Sequence, residues 1–185
     1  FVADLCGGLG VELHSERVGV ARVAAERGWN LEDAARRVRY EFLGRSARRA
    51  EAAGIATAHT LDDQAETVLM QLLRGAAYLR GIAPVRRQVV RPLLDVSREE
   101  LVAYLEDLGQ AWREDLTNRD TRLTRAWLRW EVLPLLEARF PEGRRTLGRH
   151  AGIQLDLEEY LREQATRLAS GKPFGFDQAR LTGAP

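Results

Sequence analysis

Cysteine is almost missing from this chain. Cys6 is the only one in 185 residues, which excludes an internal disulfide framework and a CxxC-based zinc or iron–sulfur centre. So little cysteine fits a reducing cytosol. Lysine is as scarce: Lys172 is the sole lysine among 28 basic residues, which leaves 27 arginines. Arginine offers a planar fork of donors suited to phosphate, so nucleic acid or nucleotide is a reasonable partner. A codon bias that replaces lysine by arginine throughout explains the same composition, and the count alone decides nothing. Long apolar runs are lacking too. None approaches the roughly 20 residues of a membrane span, and the first residues do not resemble a secretory leader, so no membrane partner is expected. What remains is ordinary for a soluble globular protein: 45% hydrophobic and 30% charged residues with a formal net charge of +1. This length holds one domain with a real core and a small appendage.

Residues 1–9 read as the end of a helix, with Phe1, Val2, Leu5 and Leu9 on one face. The loose alternation from Val11 to Val20 predicts a strand and a loop. Asn30 can cap a helix with Asp33 at its third position, and Leu31, Ala35, Val38 and Phe42 repeat at helical spacing. A short strand is expected over 54–59 and a helix over 61–74, stopped by Gly75. Gln88 to Leu94 predicts another strand with Pro92 at an edge or end. Ser97 and Glu100 form a capping box for a helix through Leu108, ended by Gly109. A polar loop over 111–120 precedes two helices, roughly 121–139 and 143–169. Strands alternating with helices argue for a mostly parallel sheet. The fold class expected is therefore α/β: a partial doubly wound, mostly parallel sheet followed by a helical subdomain. The boundaries expected are 1–110 for the α/β part, 111–170 for the helical part and 171–185 for a linker.

The stretch from Gly54 to Gly75 is the most informative. A short apolar segment ends at His59 and Thr60, and a helix starts at once with Asp62, Asp63 and Glu66 in its first two turns. A strand that delivers polar groups to a sheet edge beside a helix N-terminus is how an α/β protein builds a site. Leu61, Ala65, Val68, Leu69, Leu72 and Leu73 make the expected buried stripe. Asp63, Glu66, Thr67, Met70 and Arg74 share another face. A well-capped helix without chemistry is the plainer reading of those acids. Two like charges at spacing three are unfavourable without a cation, however, and point to a metal- or amine-binding site.

Five segments in chain order resemble the tRNA(Ile)-lysidine synthetase family of the PP-loop ATP pyrophosphatase superfamily. They are the Gly54–Gly75 stretch; Glu32–Leu43, similar to the family's E-x-A-A-R-x-x-R-Y helix; Val90–Leu94, similar to x-R-P-L-L; Glu114–Asp120, similar to E-D-x-[ST]-N-x-D; and Arg125–Arg129 followed by Val132–Leu136, similar to the R-N-x-[IL]-R helix with Ala126 where the family has Asn. The resemblance implies an enzyme that uses ATP to adenylate C2 of the wobble cytidine of a tRNA(Ile) with a CAU anticodon, after which free L-lysine displaces AMP. It implies ATP and Mg²⁺ as cofactors, tRNA(Ile) and L-lysine as partners, and a cytoplasmic location. A homodimer is left open.

By the same resemblance Asp62, Asp63, Glu66 and His59 are the catalytic candidates, with Asp63 and Glu66 as metal ligands and the three acids holding magnesium or the lysine amines. Arg36, Arg39, Arg125 and Arg129 are candidates for ATP phosphates or the adenylate. Arg74, Arg91, Asp115 and Asn118 are assigned to substrate. Arg144, Arg145 and Arg149, with His150, gather where the last long helix starts and suit tRNA phosphates, although a solvated basic face explains them equally. Leu147, Ile153, Leu157 and Leu161 are expected on that helix's buried stripe. Trp112, Trp127 and Trp130 can stack on an unpaired base or sit in the core.

The family's ATP loop, SGGxDS, has no counterpart. Cys6–Val11 comes near, but Gly10 and Val11 stand where Asp and Ser belong. The expectation is a fragment that starts after the ATP loop, binds ATP poorly and lacks ligase activity alone. Two alternatives stay open: a related tRNA thiolase, disfavoured by the single cysteine, and a non-catalytic tRNA-binding module or pseudoenzyme.

Overall fold

The computed structural model describes residues 1–114 and 119–169. They form two compact units, one of residues 1–56 with 87–90, the other of the described residues from Thr57 to Arg86 and from Arg91 onward.

In the first unit, α1 (Val2–Leu9) ends on Gly10 in the left-handed region. The expected strand after it does not form: residues 11–19 are irregular, and Val20 opens α2 (Val20–Arg27). An alternating pattern makes a strand only where a neighbour pairs with its backbone. None does so among the described residues, and Val11 and Leu13 are left exposed. Helix α3 (Leu31–Arg49) starts as the sequence predicts, with the Asn30 side chain accepting from Asp33 N at 2.8 Å. It packs on α2, and Ala24 of α2 and Ala34 of α3 are buried. Strand β1 (Ile55–Ala56) pairs in parallel with β3 (Val89–Val90), in the register Ile55–Val89 and Ala56–Val90. Both are shorter than their apolar stretches, and β2 (Val85–Arg86) was not anticipated.

The second unit is built on α4 (Leu61–Leu73), opened by a capping box in which Asp63 Oδ2 accepts from Thr60 N at 2.9 Å. Helix α5 (Arg98–Asp107) opens with the same device, Glu100 Oε2 accepting from Ser97 N at 2.8 Å. A continuous helical run follows: α6 (Thr124–Trp127), a π-helical turn (Leu128–Val132) and α7 (Leu133–Glu137). Pro134 gives this turn a cause. Its ring crowds the carbonyl four residues back and it has no N–H to donate, so the turn widens. The long α8 (Gly143–Leu168) then packs on α4. Ala65 and Leu69 of α4 meet Leu128 and Leu133 in the core.

Two expected stripes are only partly buried. Leu72 and Leu73 are 53% and 64% exposed. An apolar cavity of about 470 Å³ lies on the same unit, lined by Leu69, Leu136, Phe140 and Leu147 among others. On α8, Ile153, Leu157 and Leu161 are exposed while Ala151 is buried. The 13 residues of α4 reach about 20 Å and the 26 of α8 about 39 Å, so the second half of α8 outruns its partner. Trp112, Trp127 and Trp130 all lie at the surface, not in the core. No helix among the described residues is long and apolar enough to cross a membrane.

A clamp absent from the sequence reading fixes the loop that returns toward β2. Gln64 Nε2 donates to Ile82 O at 3.0 Å and its Oε1 accepts from Ile82 N, while Gln71 Oε1 accepts from Gly81 N at 2.9 Å. Gly81 has φ +58, and a Cβ there would meet Gln64 Oε1 at 2.5 Å and the Ala151 Cβ at 2.9 Å. Gly81→Ala should therefore lower stability by about 2–4 kcal/mol from strain and overpacking together, read as a fall in the denaturant midpoint at constant slope. A neutral result would remove the clamp from this account.

A candidate active site at the start of helix α4

The capping box aims the first two turns of α4. With Asp63 held back onto Thr60, Asp62 points to one side of the helix and Glu66 falls a turn later beside Asp63. Glu66 is wholly buried and Asp62 is 3% exposed. Burial of two carboxylates in adjacent turns demands cations, and the structure supplies two arginines.

Arg129, from the π-helical turn, spans the first pair. Its Nε donates to Glu66 Oε1 at 2.6 Å and its Nη2 to Asp63 Oδ1 at 3.1 Å. Arg125, one turn earlier and exposed, donates from Nη2 to Thr67 Oγ1 at 3.3 Å. Both oxygens of Asp63 are thus engaged, one by the cap and one by Arg129. Glu66 Oε2 is different: it is buried without a hydrogen-bond partner. Burial drives the Glu66 pKa above the usual glutamate range, and the hydrogen bond and charge of Arg129 only partly offset it.

Arg144, from α8, answers Asp62. Its Nη1 donates to Asp62 Oδ1 at 2.8 Å and its Nη2 lies 3.1 Å from Glu137. The other Asp62 oxygen accepts from Arg98 N at the start of α5, at 2.7 Å. Burial raises the Glu137 pKa despite Arg144. Asp62 therefore ties together the starts of α4, α5 and α8, and it has no oxygen left over.

The remaining candidates separate clearly. His59 is half-buried, with its Nδ1 hydrogen-bonded to Thr57 Oγ1 at 3.0 Å. Arg74 is exposed where α4 ends. Arg91 is buried, with Nη1 donating to Ala83 O at 2.7 Å. Arg145 is exposed and donates to Glu100 Oε1 at 2.7 Å, and Arg149 is exposed. Arg36 and Arg39 stand on the exposed side of α3 in the first unit, with Arg36 over the Tyr40 ring at 5.2 Å. Asp115 and Asn118 lie outside the described residues. Sequence reasoning missed Gln64, Gln71, Gly81 and Glu137. A signal for the glutamines existed: they stand seven apart, which puts both on one face of α4.

The arrangement can bind a cation at Glu66 and an anion along Arg125 and Arg129. Among the described residues no group of three or more His, Cys, Asp or Glu could hold a metal ion.

Comparison with known proteins agrees with the sequence pattern. The PP-loop domain model matches residues 1–136. The chain is 57% identical to the tRNA(Ile)-lysidine synthase of Deinococcus deserti, over 94% of this chain and 32% of that protein. It is 55% identical to that of Thermus thermophilus, over 100% of this chain and 37% of that protein, and 40% identical to that of Chlorobaculum tepidum, over 97% and 55%. The chain thus spans about a third of the length of the first two. A U34-tRNA thiolase, NcsA from Methanococcus maripaludis, with its [4Fe-4S] cluster, superposes with a TM-score of 0.66 at 16% identity, over 84% of this chain and 56% of that one, which is a likeness of fold.

Two substitutions separate the buried pair from the exposed one. Asp62→Ala leaves Arg144 without its buried partner and should cost about 3 kcal/mol, measured by denaturant unfolding. Glu100 is exposed, and the Ser97 hydrogen bonds with Arg145 lower its pKa from 4.5 to about 2. A depressed carboxylate pKa stabilises above the unfolded value and loses that contribution as pH falls through the folded one. The Tm gap between the chain and Glu100→Gln should be full at neutral pH, shrink below about 4.5 and close below about 2; a gap that does not change with pH would count against the capping box.

Proposed function

Because the chain belongs to the PP-loop domain family, we propose that it forms part of a tRNA(Ile)-lysidine synthase and carries that enzyme's amine-binding site. The reaction is the ATP-dependent joining of L-lysine to cytidine 34 of a tRNA(Ile) with a CAU anticodon. The C2 carbonyl oxygen attacks the α-phosphorus of ATP and pyrophosphate leaves. The lysine ε-amine then adds to C2, gives up a proton, and AMP departs with the C–O bond. High identity to three proteins of that name supports the reading, although each is much longer than this chain.

One observation carries the site assignment: Glu66 Oε2 is a buried carboxylate oxygen with no partner, in a cluster where two carboxylates face one guanidinium. The trio is left with one negative charge. A single ammonium both neutralises it and donates to the open oxygen. Magnesium fits less well. It takes about six oxygens in near-octahedral geometry, and here three of the four carboxylate oxygens are already engaged. These residues do not make a magnesium site by themselves. Asp63 and Glu66 are accordingly assigned to a lysine amine.

Arg129 has two roles in this reading. It keeps Glu66 oriented, and with Arg125 it presents positive charge to the phosphate of the adenylate, where charge builds as AMP leaves. By the resemblance alone, Arg36 and Arg39, three apart on α3, are assigned to phosphate. Asp62 is a positioning residue: it holds the frame of α4 and touches no ligand. His59 lines the strand-to-helix turn beside the nucleotide. Arg145 and Arg149 meet tRNA phosphates, and Arg144 holds the helix that carries them.

Binding of L-lysine to the chain, followed by calorimetry against pH, tests the assignment. An ammonium needs the ionised carboxylate, and the Glu66 pKa is raised. Affinity should therefore fall as pH drops, with a midpoint above the ordinary glutamate value of about 4.3. Glu66→Gln should weaken binding by about tenfold or more and abolish the pH dependence. Placed at the aligned position of the Deinococcus deserti enzyme, the same change should abolish lysidine formation. Undiminished lysidine yield there would refute the role.

A further inference from the structure

Arg91, assigned to substrate by the resemblance alone, is held in a way that says which part of a substrate it suits. It is 6% exposed, yet its guanidinium makes one hydrogen bond, from Nη1 to Ala83 O at 2.7 Å. Its Nε is buried without a partner, and Nη2 makes no hydrogen bond. No carboxylate among the described residues pairs with it. A guanidinium keeps its charge in proteins, and a buried charge without a counter-charge is strongly disfavoured. Every other charged side chain buried to this degree has an opposite charge in contact: Asp62 has Arg144, and Glu66 has Arg129.

Its setting is rigid. Ala83 follows the segment that Gln64 and Gln71 clamp to α4, and the Arg91 backbone N–H is itself tied to Pro84 O at 2.9 Å. Gln64 lies between Asp63 and Glu66 in the sequence of α4. The helix turn that presents the two carboxylates is thus the one that fixes the carbonyl holding Arg91. Among its described residues the second unit leaves three buried side-chain atoms unsatisfied, an acceptor on Glu66 and donors on Arg91 and Arg144. Arg144 already has two carboxylates against it, so Glu66 and Arg91, opposite in sign, are the two that still want a partner.

We propose that Arg91 is an oxyanion subsite, whose Nε and Nη2 edge takes a carboxylate or phosphate oxygen of the substrate. The edge with both nitrogens open matches the side-on, bidentate geometry in which a guanidinium grips two oxygens. This rests on the amine reading of Asp63 and Glu66 in one respect: L-lysine carries both an ammonium of the kind Glu66 calls for and a carboxylate of the kind Arg91 calls for. A phosphate of ATP supplies the same oxyanion chemistry. The two sources are separable by experiment.

The test titrates the chain and its Arg91→Gln variant with L-lysine, with cadaverine, which has the amines but no carboxylate, and with ATP. The expected result is an L-lysine affinity about tenfold or more weaker in the variant, with cadaverine binding unchanged. A loss confined to ATP keeps the subsite and makes phosphate its ligand. Equal affinities of chain and variant for both L-lysine and ATP overturn it. If L-lysine binds, depends on Glu66 and ignores Arg91, the subsite fails and the amine reading survives. If neither amine binds but ATP binds through Arg91, the amine reading fails alone. Binding of none of the three sinks both. Should the variant not fold, the Arg91 Nε–H signal in the proton–nitrogen NMR spectrum of the unsubstituted chain decides. It should shift with L-lysine or ATP and not with cadaverine, and a signal unmoved by any of them overturns the proposal.

Discussion

The grip of Arg129 on Glu66 and Asp63 is the interaction on which the second unit turns. A fully buried glutamate at the centre of a helix that also makes the apolar core is a costly placement. It is tolerable only with a cation of fixed geometry beside it, and that cation comes from a π-helical turn more than sixty residues away in sequence. Leu128, next to Arg129, is buried in the same core that receives Ala65 and Leu69. Apolar packing and charge pairing therefore lock the same two elements together. Neither would hold the geometry alone: the core positions the turn, and the ion pair sets its register against α4.

The same logic repeats one residue earlier. Asp62 accepts from the first turn of α5 and from Arg144 of α8, so its carboxylate joins three helices at one junction. Two consecutive aspartates thus divide the work. Asp62 faces inward and holds helices; Asp63 closes the capping box and shares Arg129. Such economy leaves only one oxygen of the acidic cluster uncommitted, and it belongs to the most deeply buried of the three acids.

Much of this was legible in the residues. The caps of α3 and α5 read correctly because Asn30 and Ser97 act on their own first turns, a local effect that needs no tertiary partner. The Thr60–Asp63 box of α4 is as local, but the resemblance assigns Asp63 to a ligand instead. The parallel pairing of β1 with β3 agrees with the alternation of strands and helices, and the matched PP-loop domain agrees with the motifs. What failed was everything that depends on a distant partner. Val11–Val20 has strand-like alternation but finds no neighbour. Leu72 and Ile153 continue an apolar stripe past the end of what covers it. The inward turn of Asp62 and the grip of Arg129 on Glu66 depend on elements 36 to 82 residues away, beyond any periodicity.

The proposed amine site requires Glu66, whose buried Oε2 lacks a partner, to be a charged carboxylate that an ammonium completes. Carbon-13 NMR of the Glu66 side-chain carboxyl, titrated with and without saturating L-lysine, reads this directly. The free chain should titrate above the usual glutamate range, and L-lysine should pull that midpoint down, since the bound cation favours the ionised form. An ordinary midpoint that L-lysine leaves in place would contradict the account.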